Sequence, residues 1–548
     1  MTYKKKPITL IFITLGLFFF FLGAKNILIV ILPFFISNIN WIDYSEIIQS
    51  LTYFYSFVFF LLSLLSIYFE FFKEKNIYLK IKNSSKTIFI IKDLFKKEYI
   101  LNVNKTFILI FFFSALIRIY KLQFNITYDE AATYLDYVDG GITDLLYYKL
   151  PNNHIFHSVL AKVSVTIFDN SQYSLRIPSF FFGLLNIIII YNLGKKIKDK
   201  STGIFASFSF SCIPIIIHYD TLARGYSIKI TFSLMLFYFI IKFLETFKKR
   251  FLLYAAISSA LGFFTILSFL FPFVGTLIWF TYMLIQDIRI KFIPLVCWIL
   301  GLSFSTSLFS FVLYTPTIIL GKGVNQIINN DYFRNSNYFS QYPDEILSYF
   351  TGLLGYFFSN SMILILFIII LILYSLFKSK KIFIFLFCQL FSALIIIVFT
   401  KSIPPSRTMI FLIPFIVIIF SSSLSIITKK IQKLKILLPL MQIGILILYI
   451  EKKIFPAMNG FPEYQKVLAF IDKTSVDKNF GTNLGLHYKS LKYYMKIKNR
   501  NYPWLVNFER DNYSNYPDFI IKKSLYKTSK GNFKTVLKTG SIEILKVK

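Results

Sequence analysis

The sequence predicts a polytopic α-helical membrane protein that ends in a small α/β domain. Three observations predict it. The chain of 548 residues is 56% hydrophobic and only 16% charged, whereas soluble chains carry about a quarter charged residues. Apolar runs recur from end to end, and roughly 20 such residues suffice to cross a bilayer as a helix. From Glu451 onward the pattern changes, with apolar and polar residues alternating and lysine common.

The candidate spans are 8–36, 52–72, 105–121, 174–193, 202–217, 226–243, 251–267, 269–285, 292–313, 354–376, 382–399, 408–427 and 436–450, about thirteen transmembrane helices on the length criterion. The first follows MTYKKK and is interrupted by Lys25. It has no small-residue cleavage site and is read as a retained span. The stretch NHIFHSVLAKVSVTIF (153–168) is weakly amphipathic and is read as a helix lying along the membrane surface. After Glu451, FPEYQKVLAFIDKT reads as an amphipathic helix, and DFIIKKSLY, FKTVLKT and SIEILKV read as strands. Three parts follow: an N-terminal extension over 1–104 with two spans and a basic loop, a transmembrane core over 105–450, and an α/β domain over 451–548.

A formal net charge of +33 suggests nucleic acid at first sight. The lysines lie mostly in short loops between spans, so nucleic acid is not an expected partner; the bilayer is. With the N-terminus in the cytoplasm, the loops on that side, with the N-terminal KKK and Lys242, hold roughly 28 Lys and Arg, and the opposite loops, the C-terminal domain not counted, roughly 7. This asymmetry places the N-terminus inside a cytoplasmic membrane, and the odd span count puts the C-terminal domain outside. Cys212, Cys297 and Cys388 all fall in apolar runs, which argues against a disulfide framework.

On this topology the chemically interesting side chains collect on the outer face. In QFNITYDEAATY (123–134), Asp129 and Glu130 follow directly on a span. A carboxylate at an apolar boundary is partly desolvated, which raises its pKa toward the range of a general base. The plain alternative is a pair of solvated loop acids. His154 and His157 in LPNNHIFHSVLA are three residues apart and share a helix face; His218 maps to the same side. They read as headgroup-level histidines or as hydrogen-bonding groups for a phosphate or an acceptor. His-x-x-His beside an acid can also hold a divalent metal, although no third ligand is set by spacing.

Arg224 in YDTLARGYSIKITF, with Tyr219 and Tyr226 beside it, sits at the mouth of a span. Lys401 and Arg407 in KSIPPSRTMIFLIP repeat the theme. Each cation either snorkels to the headgroups or clamps a phosphate through paired hydrogen bonds. Arg176 in QYSLRIPSFFFGLL opens another span, as an anchor or a substrate contact. Asp344 and Glu345 in QYPDEIL read as a helix cap.

In order along the chain, YDEA, NNHIFHSVLAKV, SLRIPSFFFGLL and ARGYSI resemble the GT-C membrane glycosyltransferases. The nearest resemblance is to the bacterial branch with the protein O-mannosyltransferase-like and lipid A aminoarabinose transferase-like enzymes. It is strongest over about 105–245, with an echo, SRTMIFLIP, at 406–414. The resemblance implies a polyprenyl-phosphate-linked sugar donor, an acceptor that attacks the anomeric carbon, and inversion there. It implies that Asp129 is the base, Glu130 its companion acid and Arg224 a substrate-site residue. His154, His157, Arg176, Tyr219, Tyr226, Lys401 and Arg407 are the further candidates for substrate binding. No cofactor is expected, a divalent metal being the open alternative. The chain departs from the family in having Ile155 and Phe156 where two prolines are common, and Ile228 and Lys229 where some relatives carry an Asp. A transporter or flippase is the rival reading, but it predicts repeated halves and ionisable groups near the midplane, and no repeat is present. A non-catalytic assembly factor with a partner-binding outer domain is a second rival.

Overall fold

A computed structural model describes residues 105–146, 153–169, 171–287, 292–320, 342–358, 366, 369–370, 380–400, 403–430, 463–474, 480–483, 488–497, 505–507, 519–523, 533–539 and 542–547. The expected spans 8–36, 52–72 and 436–450, most of the span 354–376, the loop 73–104 and Lys401 lie outside the described residues.

The core opens with α1 (Lys105–Leu122). Its buried residues Phe107, Ile110, Ser114, Arg118 and Lys121 recur at three- and four-residue steps and form one face. Ile108, Leu109, Phe112, Phe113 and Leu116 are exposed. A run of short elements follows: α2 (Tyr128–Thr133), one π-helical turn (Tyr134–Val138), α3 (Ile142–Leu146) and α4 (Ile155–Phe168). With 14 residues, α4 is about 21 Å long, short of the roughly 30 Å hydrocarbon core. His157, Ala161 and Ser164 face inward, while Val163, Ile167 and Phe168 face out.

Next comes α5 (Gln172–Ile197). Where one span was expected over 202–217, the chain forms α6 (Lys200–Cys212) and α7 (Pro214–Asp220), bent by 71°. Pro214 explains the break. It pushes Ile213 into extended backbone (φ −72°, ψ 121°) and then opens the new helix at its first position. The remaining core helices are α8 (Tyr226–Thr246), α9 (Arg250–Thr265), α10 (Leu270–Gln286), α11 (Phe292–Leu320), α12 (Tyr342–Phe358) and α13 (Lys380–Thr400). A 3₁₀ segment (Ser406–Leu412) leads into α14 (Ile413–Lys430). Among the described residues, six helices are long and apolar enough to cross a membrane, or seven if the bent pair is one span. The 16-residue α9 and the charge-bearing α1 fall outside that count.

A buried ion pair secures the bend. Arg118 and Asp220 have fully buried side chains and meet through two bonds of 2.9 and 2.7 Å. Asp220 also accepts a 2.6 Å bond from Ser227 Oγ, so the end of α7 is tied to α1 and to the first turn of α8. Charges inside a membrane persist where such partners exist. Gly183 on α5 leaves the room, since a Cβ there would lie 2.6 Å from Asp220 Cβ. Gly183→Ala is therefore expected to destabilise by about 1–3 kcal/mol, because Asp220 is held on both sides and cannot step away. Thermal unfolding in detergent checks this; an unchanged midpoint would show that α5 has slack.

The C-terminal domain contains α15 (Glu463–Thr474), β1 (Phe480–Asn483), α16 (Tyr488–Ile497), β2 (Leu505–Asn507), β3 (Phe519–Lys523), β4 (Phe533–Thr539) and β5 (Ile542–Val547). The sheet runs β2-β1-β3-β5-β4, with β1 parallel to β2 and β3, and β5 antiparallel to β3 and β4. The helix and three strands read from the sequence are present; β1, β2 and α16 were not anticipated. Val467, Leu468, Ile471, Leu491, Tyr493, Ile521 and Ile544 share one cluster with Ile126, Ala131, Tyr134 and Val138. The domain therefore sits at the end of the bundle where α2 lies.

Candidate active site

Thr127 and Glu130 build the start of α2 as a capping box. The Glu130 carboxylate accepts from the Thr127 N–H at 2.9 Å, and Thr127 Oγ1 accepts from the Glu130 N–H at 3.4 Å. This turns Glu130 back under the helix and leaves Asp129 on its rim. Glu130 is completely buried. Arg176 grips it with Nε at 2.6 Å and Nη2 at 2.8 Å, and the Ala223 N–H adds a bond of 2.9 Å. Arg176 gives its other N–H groups to the carbonyls of Leu122, Phe124 and Asn125 at 2.9, 2.6 and 3.0 Å. All five donors of the guanidinium are thereby used within the protein. Burial alone raises the Glu130 carboxyl, but Arg176 and the two backbone donors outweigh it and hold it below its ordinary value.

Both assignments read from the sequence change here. Glu130 was grouped with Asp129 as catalytic, yet its oxygens are occupied. Arg176 was grouped with substrate binding, yet it is fully committed to Glu130 and the loop. Together they fasten the loop after α1 to the start of α5 and, through Ala223, to the turn that carries Arg224.

Asp129 is half-buried. Among the described residues none hydrogen-bonds its carboxylate; its backbone carbonyl accepts from Thr133 Oγ1 at 2.9 Å. Thr133 Oγ1 in turn lies 3.2 Å from Arg224 Nη1. Arg224 is buried, its carbonyl held by Ser179 Oγ at 2.8 Å, and its Nη2 stands 3.4 Å from His154 Nε2. The Gly225 N–H donates to His154 Nδ1 at 2.7 Å, so the neutral ring carries its proton on Nε2. Burial, reinforced by Arg224, keeps His154 far below its ordinary pKa and hence neutral. His157 is buried on α4, and neither ring nitrogen has a partner among the described residues. Its pKa is pushed down to about 3 by burial and then by Arg224.

Opposite α2 lies the 3₁₀ segment with Arg407, which is exposed. Arg407 lies close to Tyr226 and feels the charge of Asp129. The Tyr226 ring packs edge-on to His154 at 5.0 Å and against Tyr219 at 4.6 Å. Tyr219 shares a 2.9 Å hydroxyl bond with Tyr356 of α12. Lys229, one turn into α8, bonds Ser268 Oγ and the Thr408 carbonyl, both at 2.8 Å, and so anchors the segment that carries Arg407.

The structure thus brings together Asp129, His154, Tyr219, Arg224, Tyr226 and Arg407. It sets Glu130 and Arg176 beneath them and His157 apart from their hydrogen-bond network. Asp344 and Glu345 fall in the first turn of α12. Because Arg176 and Arg118 neutralise Glu130 and Asp220, the site is left with Asp129 against the cations Arg224 and Arg407. That arrangement suits an anionic group beside a carboxylate base. Among the described residues no group of three His, Cys, Asp or Glu is placed to hold a metal ion. Arg118, Asp220, Lys229 and Tyr356 were not read from the sequence as site-building residues. Arg118 and Lys229 had a signal, being charges inside apolar runs, and Thr127 had one in the T-x-x-E capping pattern.

Residues 153–314 match the family described as dolichyl-phosphate-mannose-protein mannosyltransferase. No curated protein matches the chain in sequence. Among solved structures, ArnT from Cupriavidus metallidurans in the apo state aligns over 80% of this chain and 97% of its own, at a TM-score of 0.50 and 11% identity. The Archaeoglobus fulgidus oligosaccharyltransferase in complex with zinc and sulfate aligns over 76% of this chain and 68% of its own, at a TM-score of 0.44 and 11% identity. Arabinosyltransferase EmbB from Mycobacterium smegmatis covers 68% of this chain and 34% of its own, at 0.38 and 11%. The alignment with ArnT is a likeness of fold. By fold the chain is a multi-span membrane protein similar to ArnT, and the family match covers residues 153–314. Its family match spans α4 through most of α11 and so includes His154, Arg224 and Tyr226.

Proposed function

We propose that the chain is an inverting glycosyltransferase that moves a sugar from a polyprenyl-phosphate donor to a lipid, glycan or protein acceptor at the outer face of the cytoplasmic membrane. One observation carries this reading: Asp129 is a carboxylate without a hydrogen-bonding partner among the described residues, on the rim of a site whose nearby charges are Arg224 and Arg407. The matching family is described as taking mannose from dolichyl phosphate, and ArnT has also been solved bound to undecaprenyl phosphate. The lysine asymmetry of the loops supports the outer face, and the C-terminal domain would share it.

In this mechanism the donor phosphate lies between Arg224 and Arg407, with Tyr226 steering Arg407. The acceptor oxygen or nitrogen attacks the anomeric carbon from the side opposite the phosphate, and Asp129 takes its proton. The bond from the anomeric carbon to the phosphate oxygen breaks, its electron pair leaves with the polyprenyl phosphate, and the configuration inverts. Fixed cations at the leaving group stabilise the charge that develops there. His154, neutral and held by Gly225, packs edge-on against Tyr226 beside Arg224. A monophosphate leaving group can be neutralised by two guanidiniums, so no metal is assigned a role. A cation between His154 and His157 would meet Arg224 beside His154 Nε2.

Vesicles holding the purified chain and a polyprenyl-phosphate sugar test the proposal. Release of polyprenyl phosphate with glycosylated acceptor is expected, and NMR of the product should show the opposite anomer. Uptake of a solute without transfer would overturn it in favour of a transporter. Arg407→Ala should weaken polyprenyl-phosphate inhibition by about tenfold to a hundredfold, the worth of a charged hydrogen bond. Unaltered inhibition would remove Arg407 from the phosphate site.

A further inference from the structure

We infer that α16 of the C-terminal domain is a positioning clamp on the Asp129 helix, and that the transfer site is incomplete without it. The inference rests on Asp129 acting as the base. Helix α2 has six residues and continues into a five-residue π-helical turn. Isolated helices that short do not hold themselves in water; packing must do it. Glu130 and Arg176 secure the N-terminal side of α2 from below. The contacts from above come from α16.

They bracket α2 on both sides. Before it, Tyr494 Oη accepts from the Ile126 N–H at 2.8 Å and lies 3.2 Å from Asn125 Oδ1 and 3.3 Å from Gln172 Oε1. One hydroxyl thus ties the residue preceding the Thr127 cap to the first turn of α5. After it, Lys489 pairs with Asp136 and Lys496 with Asp139. Between these points Tyr493, fully buried, meets Tyr134 edge-on at 5.1 Å. Asp136 on the π-helical turn and Asp139 at its C-cap sit three apart, Lys489 and Lys496 seven apart on α16, so both pairs form in only one register. Exposed pairs of this kind add little affinity; here they select the register in which Tyr493 and Tyr494 land on the loop. A free outer domain would have no reason to match both.

The test compares full-length variants in vesicles. Lys489→Glu with Lys496→Glu is expected to lower kcat by about tenfold to a hundredfold, as for a displaced reacting group, with the donor KM changed less than about threefold. Adding Asp136→Lys and Asp139→Lys restores the pairs in reverse and should recover most of kcat. A generally damaged protein would not recover. Tyr494→Phe, which keeps the ring and loses the acceptor for the Ile126 N–H, should lower kcat in the same direction and provides a second reading if the charge reversal folds poorly. Limited proteolysis reports docking independently of turnover. Wild-type kcat in variants whose C-terminal domain has become protease-sensitive would overturn the clamp. So would reversed pairs that restore docking without restoring kcat. Asp129→Asn, assayed alongside, separates the two ideas: an active Asp129→Asn sinks the base, whereas an inactive Asp129→Asn beside an unaffected α16 variant sinks the clamp alone.

Discussion

Asp129→Asn is expected to assemble in the membrane like the parent and to lose sugar transfer by about a hundredfold to ten-thousandfold, the usual worth of a general base. The change is nearly isosteric. The carboxylate makes no hydrogen bond among the described residues that an amide would break, and the bond from Thr133 goes to the backbone carbonyl. The capping box depends on Thr127 and Glu130 and is untouched. The loss should therefore appear in kcat with little effect on stability, and it separates Asp129 from its neighbour. Equal transfer by the variant and the parent, from the same donor in the same vesicles, would end the assignment.

Removing either partner of the Glu130–Arg176 pair should instead damage the fold. Glu130→Ala leaves a buried guanidinium without its counter-charge, and Arg176→Ala leaves a buried carboxylate and three unpaired carbonyls. Each is expected to cost about 3–5 kcal/mol, read as a lowered unfolding midpoint in detergent, and transfer should fall with it. The pH dependence has a definite sign. Glu130 titrates below its ordinary value of 4.5 in the folded protein, so the unfolded chain binds the extra proton first. The stabilisation is fully present above about that ordinary value and is lost as pH falls through the lower folded one. Parent and Arg176→Ala should thus differ most from neutral pH down to the ordinary carboxylate range, and converge in stronger acid. Identical midpoints at neutral pH would mean that the pair contributes nothing net.

The two predictions show where sequence reading stops. Asp129 and Glu130 are adjacent acids of the same chemistry, and composition and spacing gave them one description. They differ because α2 turns one of them inward. The cap pattern Thr127-x-x-Glu130 is visible in the sequence and points to that turn; the arrival of Arg176 from 46 positions further on is not. Similarly, Arg224 and Arg407 were legible as candidate phosphate-binding cations, and their grouping around Tyr226 depends on how α8 meets the 3₁₀ segment. Lys229 looked like a departure from a family pattern and proves to be the residue that joins those two elements.

By itself the sequence determined the membrane class, most of the described helices, the α/β ending and most of the candidate groups. These follow from hydrophobic runs, periodicity and loop charge, which are local properties of the chain. The tertiary structure alone decided the Arg118–Asp220 pair, the division of labour between Asp129 and Glu130, and the seating of α16 on the Asp129 helix. Each of these depends on contacts between residues far apart in sequence, where a buried charge takes whichever partner the packing brings within reach.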